Sequence, residues 1–312
     1  MSVQGKSPKC VPPEGTPIAI TVLADNTVAG GGLLAEHGLA FWVETGPHRL
    51  LFDTGQGLAL AANARQLRIA LASVTAVALS HGHYDHTGGL RDVLAAASQE
   101  LPIHMHPEAL GPHFHCAAGG GRDIGLPADI RSALSRPPAH LILTPMPSAV
   151  APGVFLTGEV ERIHPQETID EPFFRDAAGN EPDGIRDDQA LFFATAEGFV
   201  VLLGCAHSGL INTLDTVLRV TGGQPIHTVI GGMHLRAASP ARLAWTLESL
   251  RRFNLRQLLP THCTGTAAAA ALWNAFPGVC QPCGVGTRLT FRLASATTAR
   301  PRRTCPLTEN PS

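Results

Sequence analysis

Within six consecutive residues, His81-Gly82-His83-Tyr84-Asp85-His86, the chain places three imidazoles and one carboxylate. The run before it, Val74-Thr75-Ala76-Val77-Ala78-Leu79, is apolar and rich in β-formers, as in a strand buried on both faces. After it, Thr87-Gly88-Gly89 leads into a helical pattern at Leu90, Val93, Leu94 and Ala97. The polar cluster therefore falls on a strand-to-helix turn, where open α/β sheets keep their ligand sites. His81 and His83 are two apart, so an extended backbone points both the same way, while Asp85 and His86 turn toward a second position. Imidazole nitrogen with carboxylate oxygen is the donor set of Zn²⁺, Mn²⁺ or Fe²⁺. The bland alternative is a polar turn that is merely rich in histidine, and the clustering of ligand-type residues argues against it.

Composition fits a soluble enzyme. The 312 residues suffice for one large layered core or two small domains, with 44% hydrophobic and 15% charged residues. Net charge is −2 and the densest basic stretch is Arg300-Pro301-Arg302-Arg303, which counts against nucleic acid as the partner. The first ten residues lack the apolar core of a secretory signal, and no run is long enough to span a membrane. Seven cysteines, an odd number, point to a reduced and hence cytoplasmic setting. Cys280 and Cys283, alone among them closely spaced, are expected to pack a terminal turn. No G-x-S-x-G elbow and no phosphate-cradling G-x-x-x-x-G-K run is present, so covalent serine and P-loop chemistry are unsupported.

Strand and helix patterns alternate twice. Ile18–Leu23, Ala40–Glu44 and Arg49–Asp53 read as early strands, followed by a helix from Leu58 to Leu67, the His-bearing strand and its helix, and a short strand at Ile103–His106. Gly111 to Pro138 has Gly/Pro texture and little period. Leu141–Thr144 and Val154–Thr157 resume strand patterns, and Pro165 to Arg186 is again irregular. In the second half, Ala190–Thr195 and Phe199–Leu203 read as a hairpin, followed by a helix after His207, a strand at Ile226–Ile230, and a helix from Pro240 to Phe253. A strand at Gln257–Leu259, a helix at Ala267–Phe276 and a strand at Arg288–Leu293 complete the pattern. The expected organisation is a tail over 1–17, one domain over 18–295 with a substrate-covering insertion around 105–186, and a tail over 296–312.

The H-x-H-x-D-H turn is joined, in order, by Phe52-Asp53-Thr54-Gly55, Asp187-Asp188-Gln189-Ala190-Leu191, Gly204-Cys205-Ala206-His207-Ser208-Gly209, Gly231-Gly232-Met233-His234 and Thr261-His262-Cys263. This series resembles the metallo-β-lactamase superfamily, in particular the branch of metal-dependent hydrolases related to dihydropterin ribofuranosylaminobenzene phosphate synthase. The match runs from about Ile18 to Thr290. The resemblance implies an α/β fold with a four-layered αββα sandwich and one or two divalent ions, Zn before Mn or Fe. Carried over, His81 and His83 hold one metal, and Asp85, His86 and His262 the second. Asp53 is expected to orient a ligand imidazole from the second shell.

The third quarter departs from the superfamily pattern. Where most dinuclear members carry a bridging aspartate after a Gly, this chain has Gly204-Cys205, with His207 two further on. His207 is the favoured replacement ligand and Asp188 the next, with Cys205 expected as a small buried neighbour of the site. Asp85 doubles as ligand and proton acceptor, and His234 is open between ligand, proton carrier and substrate contact. His104, His106, His113 and His115 are expected as surface or lid histidines. The partner is a small molecule, with homo-oligomerisation possible. The leading activity is hydrolysis of an ester, lactone, amide or phosphoester by metal-activated water. The alternatives are a transferase of the synthase type, for which Arg122, Arg162, Arg175 and Arg186 would be the phosphate contacts, and a non-catalytic metal-binding module.

Overall fold

The computed structural model describes residues 14–117, 120–169 and 171–294. Among these, seven strands form a first sheet in the spatial order Arg288–Arg292, Pro17–Ala24, Ala40–Thr45, His48–Phe52, Ala76–Ala78, Leu101–Met105 and Ala139–Leu143. Six form a second, ordered Gln257–Thr261, Ile226–Gly232, Gly198–Leu203, Leu191–Thr195, Val154–Leu156 and Ser148–Ala151. The two halves are not self-contained, because the last strand crosses back to pair antiparallel with the first.

Alternation along the strands sorts side chains into three apolar layers. Ile18, Ile20, Phe41, Val43, Leu50 and Phe52 of the first sheet meet Leu191, Phe193, Val200 and Leu202 of the second in one buried cluster between the sheets. The opposite faces point outward. Trp42, Leu51 and Val77 pack with Leu60, Leu90, Val93 and Ile130 from helices Leu60–Gln66, Leu90–Ala96 and Ala128–Leu134. Phe192, Val201 and Val229 pack with Leu214, Val217, Leu250 and Leu272 from helices Leu210–Thr221, Pro240–Arg251 and Thr266–Ala275. Helix, sheet, sheet, helix is the expected αββα sandwich. No helix of the described residues is long and apolar enough to cross a membrane.

The insertion corrects the sequence reading. Phe114–Ala117 pairs antiparallel with Gly120–Asp123, and Phe173–Phe174 adds a third strand, so Gly111 to Pro138 contains a hairpin and a helix rather than irregular chain. Glycine and proline set the turns but hide the strand period. The Tyr84 amide donates to the Ile124 carbonyl (2.9 Å), which ties this small sheet to the histidine turn. A short strand at Ser148–Ala151 was also missed. The tail at 296–312 and most of the tail at 1–17 lie outside the described residues, as do the basic stretch at 300–303 and Gly119. Cys280 and Cys283 are free, half-buried thiols.

Candidate metal centre

Apart from His37, in the loop ahead of Ala40–Thr45, every ligand-type residue of the centre lies on a strand end or just beyond one. Asp53 follows His48–Phe52 and the histidine turn follows the parallel strand Ala76–Ala78. In the second sheet, Cys205 and His207 follow Gly198–Leu203, His234 follows Ile226–Gly232, and His262 follows Gln257–Thr261, three mutually parallel strands. The two sheets thus present their carboxyl edges to one another. Asp53, Ala206, His234 and His262 have φ of +59, +56, +46 and +49°, a left-handed conformation uncommon outside glycine. Four such residues at one edge are strain that the surrounding packing holds in place. A Cβ on Gly204 would collide with the Ser80 hydroxyl, so the approach of the sheets there requires glycine.

The hydrogen bonds behind the ligands decide where their lone pairs point. Ser80 Oγ donates to Asp53 Oδ2 (2.7 Å), which leaves the hydroxyl to accept from His81 Nδ1 (2.8 Å). His86 Nδ1 donates to the same Asp53 oxygen at 2.7 Å, and His262 Nδ1 to Asn26 Oδ1 at 2.8 Å. The Nε2 atoms of all three therefore face inward as acceptors. There His86 Nε2 meets Cys205 Sγ at 3.2 Å, a thiol able to donate, whereas His262 Nε2 meets an acceptor, Asp85 Oδ2, at 3.4 Å. His81 Nε2 is 3.2 Å from His207 Nε2. His83 Nε2 and His262 Nε2 are buried without any hydrogen-bond partner. Buried donor-less acceptors facing one another are unfavourable, and a cation among them supplies what each lacks. The residues present fit a metal.

The electrostatics agree. Burial pushes the imidazoles of His81 and His207 far down and that of His83 to about 3, so these three are neutral, the ligating form. Burial also opposes charge on His86, but Asp53 and Asp85 outweigh it and lift the group to about 9, marking a place that favours positive charge. Burial raises the Asp85 carboxyl, yet His86 and His262 more than offset this and hold it well below the usual range.

Among the described residues, four groups have their ligand atoms within 4.8 Å of one another: His81, His83 and His207; His81, His86 and Cys205; Cys205, His234 and Cys263; and His37, Asp85 and His262. The structure thus assembles His81, His83, Asp85, His86, His207 and His262 from both sheets. Cys205 stands among them, reaching toward both His81 and His86. Asp188 is in none of the groups: its Oδ2 accepts from the Ser208 amide (2.8 Å), and burial raises it to about 6. Asp187 accepts from the Gly82 amide (2.7 Å) and Gln189 bonds to the Ser80 and Leu79 carbonyls (2.9 Å each), so this run clamps the two site loops together. His234 has its ring 4.3 Å from that of His207 and its Nε2 3.5 Å from Glu171. His37, Cys263 and Arg236 were not singled out in the sequence; His37 Nε2 lies 3.2 Å from Asp85 Oδ2.

The centre opens on a cleft of about 130 Å³, whose other wall is the insertion through His115, Arg122, Ile124, Glu171 and Phe173. Of the four arginines weighed for phosphate, Arg122 lies there, over the Tyr84 ring. Arg175 is committed to Glu108 (3.2 Å), Arg186 to Glu159 (2.8 Å) and Arg162 to the Gly184 carbonyl (2.9 Å). His113 bonds Asp183 at 2.6 Å, and no group of potential ligands contains His104, His106, His113 or His115 among the described residues.

The profile of the metallo-beta-lactamase superfamily matches residues 34–174. A 7,8-dihydropterin-6-methyl-4-(beta-D-ribofuranosyl)-aminobenzene-5'-phosphate synthase of Methanocaldococcus jannaschii is 30% identical, over 75% of this chain and 83% of its own length. An uncharacterized protein of the same organism is 28% identical over 81% of this chain and 93% of its own length. Among solved structures, a metal-dependent hydrolase of the beta-lactamase superfamily superposes with a TM-score of 0.73 at 29% identity, covering 87% of this chain and 98% of that one.

Proposed function

Because the chain belongs to the metallo-β-lactamase superfamily, in the branch that includes the dihydropterin synthase relative, we propose that it is a metal-dependent hydrolase of a small molecule. The observation that carries this reading is the pair of buried ring nitrogens without a hydrogen-bond partner at His83 and His262, the latter 3.4 Å from Asp85 Oδ2. His81, His83 and His207 would hold one ion, and Asp85, His86 and His262 a second, with Cys205 between them. The thiol and imidazole donors favour zinc, with iron next and manganese last. A divalent ion there supplies Lewis acidity and lowers the pKa of water to about 7. Asp85 Oδ2 is placed to take a proton from the attacking water. His234 Nε2, held toward the charged form by Cys263 and Glu171 against the opposing effect of burial, is placed to give one to the departing group. Arg122 and Arg236 line the same cleft and orient an anionic substrate, which puts phosphoesters first among ester, lactone, amide and phosphoester.

The identity to the synthase supports a second reading, condensation of two substrates with loss of diphosphate. Commitment of three of the four candidate arginines to carboxylates or carbonyls weighs against it. The test is an assay of p-nitrophenyl phosphate, bis-p-nitrophenyl phosphate, p-nitrophenyl acetate and a lactone, on metal-stripped protein and after adding Zn²⁺, Mn²⁺ or Fe²⁺. Metal-restored turnover of at least one class is expected. Inertness toward all of them, with condensation of a pterin diphosphate and a ribosylated aminobenzene phosphate, would transfer the assignment to the synthase reading.

A further inference from the structure

The metal cleft is too small for a whole substrate. About 130 Å³ accommodates a reacting group, whereas sites for small organic molecules run to roughly 300–1,000 Å³. A second cleft of about 790 Å³ adjoins it, and His262 and Arg236 line both. On its floor, Thr266, Ala269 and Trp273 follow one another at spacings of three and four along the Thr266–Ala275 helix and so share a face. Trp273 is 46% exposed, and so is much of Val28 opposite (44%). The wall that carries Val28 is fixed in place, with Ala29 N donating to the Val285 carbonyl and Val285 N to the Thr27 carbonyl, 2.9 Å each.

Charge in this second cleft is scarce. Asp25 is already spent on the His262 amide and on Thr27, and Arg236 sits at the junction with the metal cleft. Thr261 also lines the cleft; the residue is 6% exposed and its buried Oγ1 has no hydrogen-bond partner. A buried hydroxyl without a partner beside an apolar wall is a vacant specificity contact.

We propose that this second cleft is the subsite for the body of the substrate, a neutral and largely apolar group that packs on Trp273 and hydrogen-bonds Thr261 while the polar head lies at the metal centre. The assignment rests on the metal cleft being the reaction site, but not on which reaction occurs there. Residues that read a neutral body set which molecule is accepted without taking part in bond breaking, so their effect belongs in affinity.

Calorimetric titration of the metal-loaded full chain tests this with three probes: 1-naphthol as the body alone, inorganic phosphate as the head alone, and 1-naphthyl phosphate as both. Naphthyl phosphate is expected to bind more tightly than either half. Trp273→Ala, which alters an exposed side chain, and Ala269→Trp, which fills the cleft, should each weaken naphthol and naphthyl phosphate at least fivefold and leave phosphate unchanged. Thr261→Val should weaken the naphthyl compounds about two- to threefold. Failure of naphthol to bind, or equal affinity in wild type and both cleft variants, overturns the assignment. Because turnover is not read, naphthyl binding by a protein that hydrolyses nothing would sink the hydrolase reading alone.

Discussion

Asp53 accepts from the Ser80 amide and hydroxyl and from His86 Nδ1, each at 2.7 Å, and through Ser80 it also fixes His81. One buried carboxylate therefore sets the tautomer of an imidazole in each of the two proposed metal positions. Asp53→Ala should weaken metal binding about 10- to 100-fold, as loss of such outer partners does elsewhere. Competition with a chromophoric chelator measures it, and unaltered affinity would remove Asp53 from its positioning role. A second contrast separates the three residues left open where the usual bridging aspartate is absent. His207→Ala and Cys205→Ala should each lower bound zinc by roughly half, one of two positions. Asp188→Asn should retain it, because the Asp188 carboxylate is turned onto the Ser208 amide. Elemental analysis decides, and metal loss in Asp188→Asn would return that residue to the ligand set. The rank of Asp188 above Cys205 was natural from sequence, since carboxylates ligate more often than buried cysteines. What the sequence could not supply is the path of the Asp187-Asp188-Gln189 run, in which one oxygen of each aspartate and the Gln189 amide bond backbone groups of the two loops, while Asp187 Oδ1 and Asp188 Oδ1 are buried without a partner.

The insertion shows the same limit at the level of elements. Strands that carry the core announced themselves by continuous apolar runs, and their ends by Asp53, the histidine turn, Gly204 and Thr261. Phe-His-Cys-Ala and Gly-Gly-Arg-Asp have no such pattern, because their three-stranded sheet is small and its faces are mostly half-buried or exposed. Beside the small apolar cluster of Ile124, Phe173 and Ile185, its attachment is polar: His113 Nδ1 lies 2.6 Å from Asp183 Oδ2, both buried, and Arg175 lies 3.8 Å from the other oxygen. Burial lowers the His113 pKa, but Asp183 and Asp187 outweigh it and raise it above 6.5. Burial raises that of Asp183, yet His113 and Arg175 bring it below 3.8. The histidine's share of stability is complete below pH 6.5 and is lost as pH rises through its raised folded value. The aspartate's share is complete above pH 3.8 and is lost as pH falls through its depressed value. Asp183→Asn should therefore cost about 1–3 kcal/mol, most of it between roughly pH 4 and 6.5, with a smaller deficit above. Denaturant titrations across that range measure it. A deficit that grows with pH would contradict the ion pair. Zinc content should not change, whereas KM for any accepted substrate should rise, since Phe173 and His115 of this sheet line the cleft.

For the molecule as a whole, the proposed metal centre would be a cross-link between its two sheets. His81, His83, Asp85 and His86 hang from the first, and His207 and His262 from the second, while the layer between the sheets is apolar and Asp25, Asp187 and Gln189 add hydrogen bonds between the two edges. Ions held at that edge bind the folded chain and have no comparable site once the sheets separate. Stabilisation then follows RT ln(1 + [L]/Kd), about 4 kcal/mol at a thousandfold excess of metal over Kd. For a chain of this size that corresponds to roughly 6 °C in Tm. Chelation should lower Tm by about that amount and the added metal should restore it, as differential scanning calorimetry would show. Two variants locate the source. His83→Ala and His262→Ala remove a ligand from opposite sheets, and each should shrink the metal-dependent shift by several degrees. Neither should move the Tm of metal-stripped protein downward, because both side chains leave a buried ring nitrogen without a partner when no cation is present. A Tm indifferent to chelation in the wild type would mean that the two carboxyl edges are held together by packing and those hydrogen bonds alone.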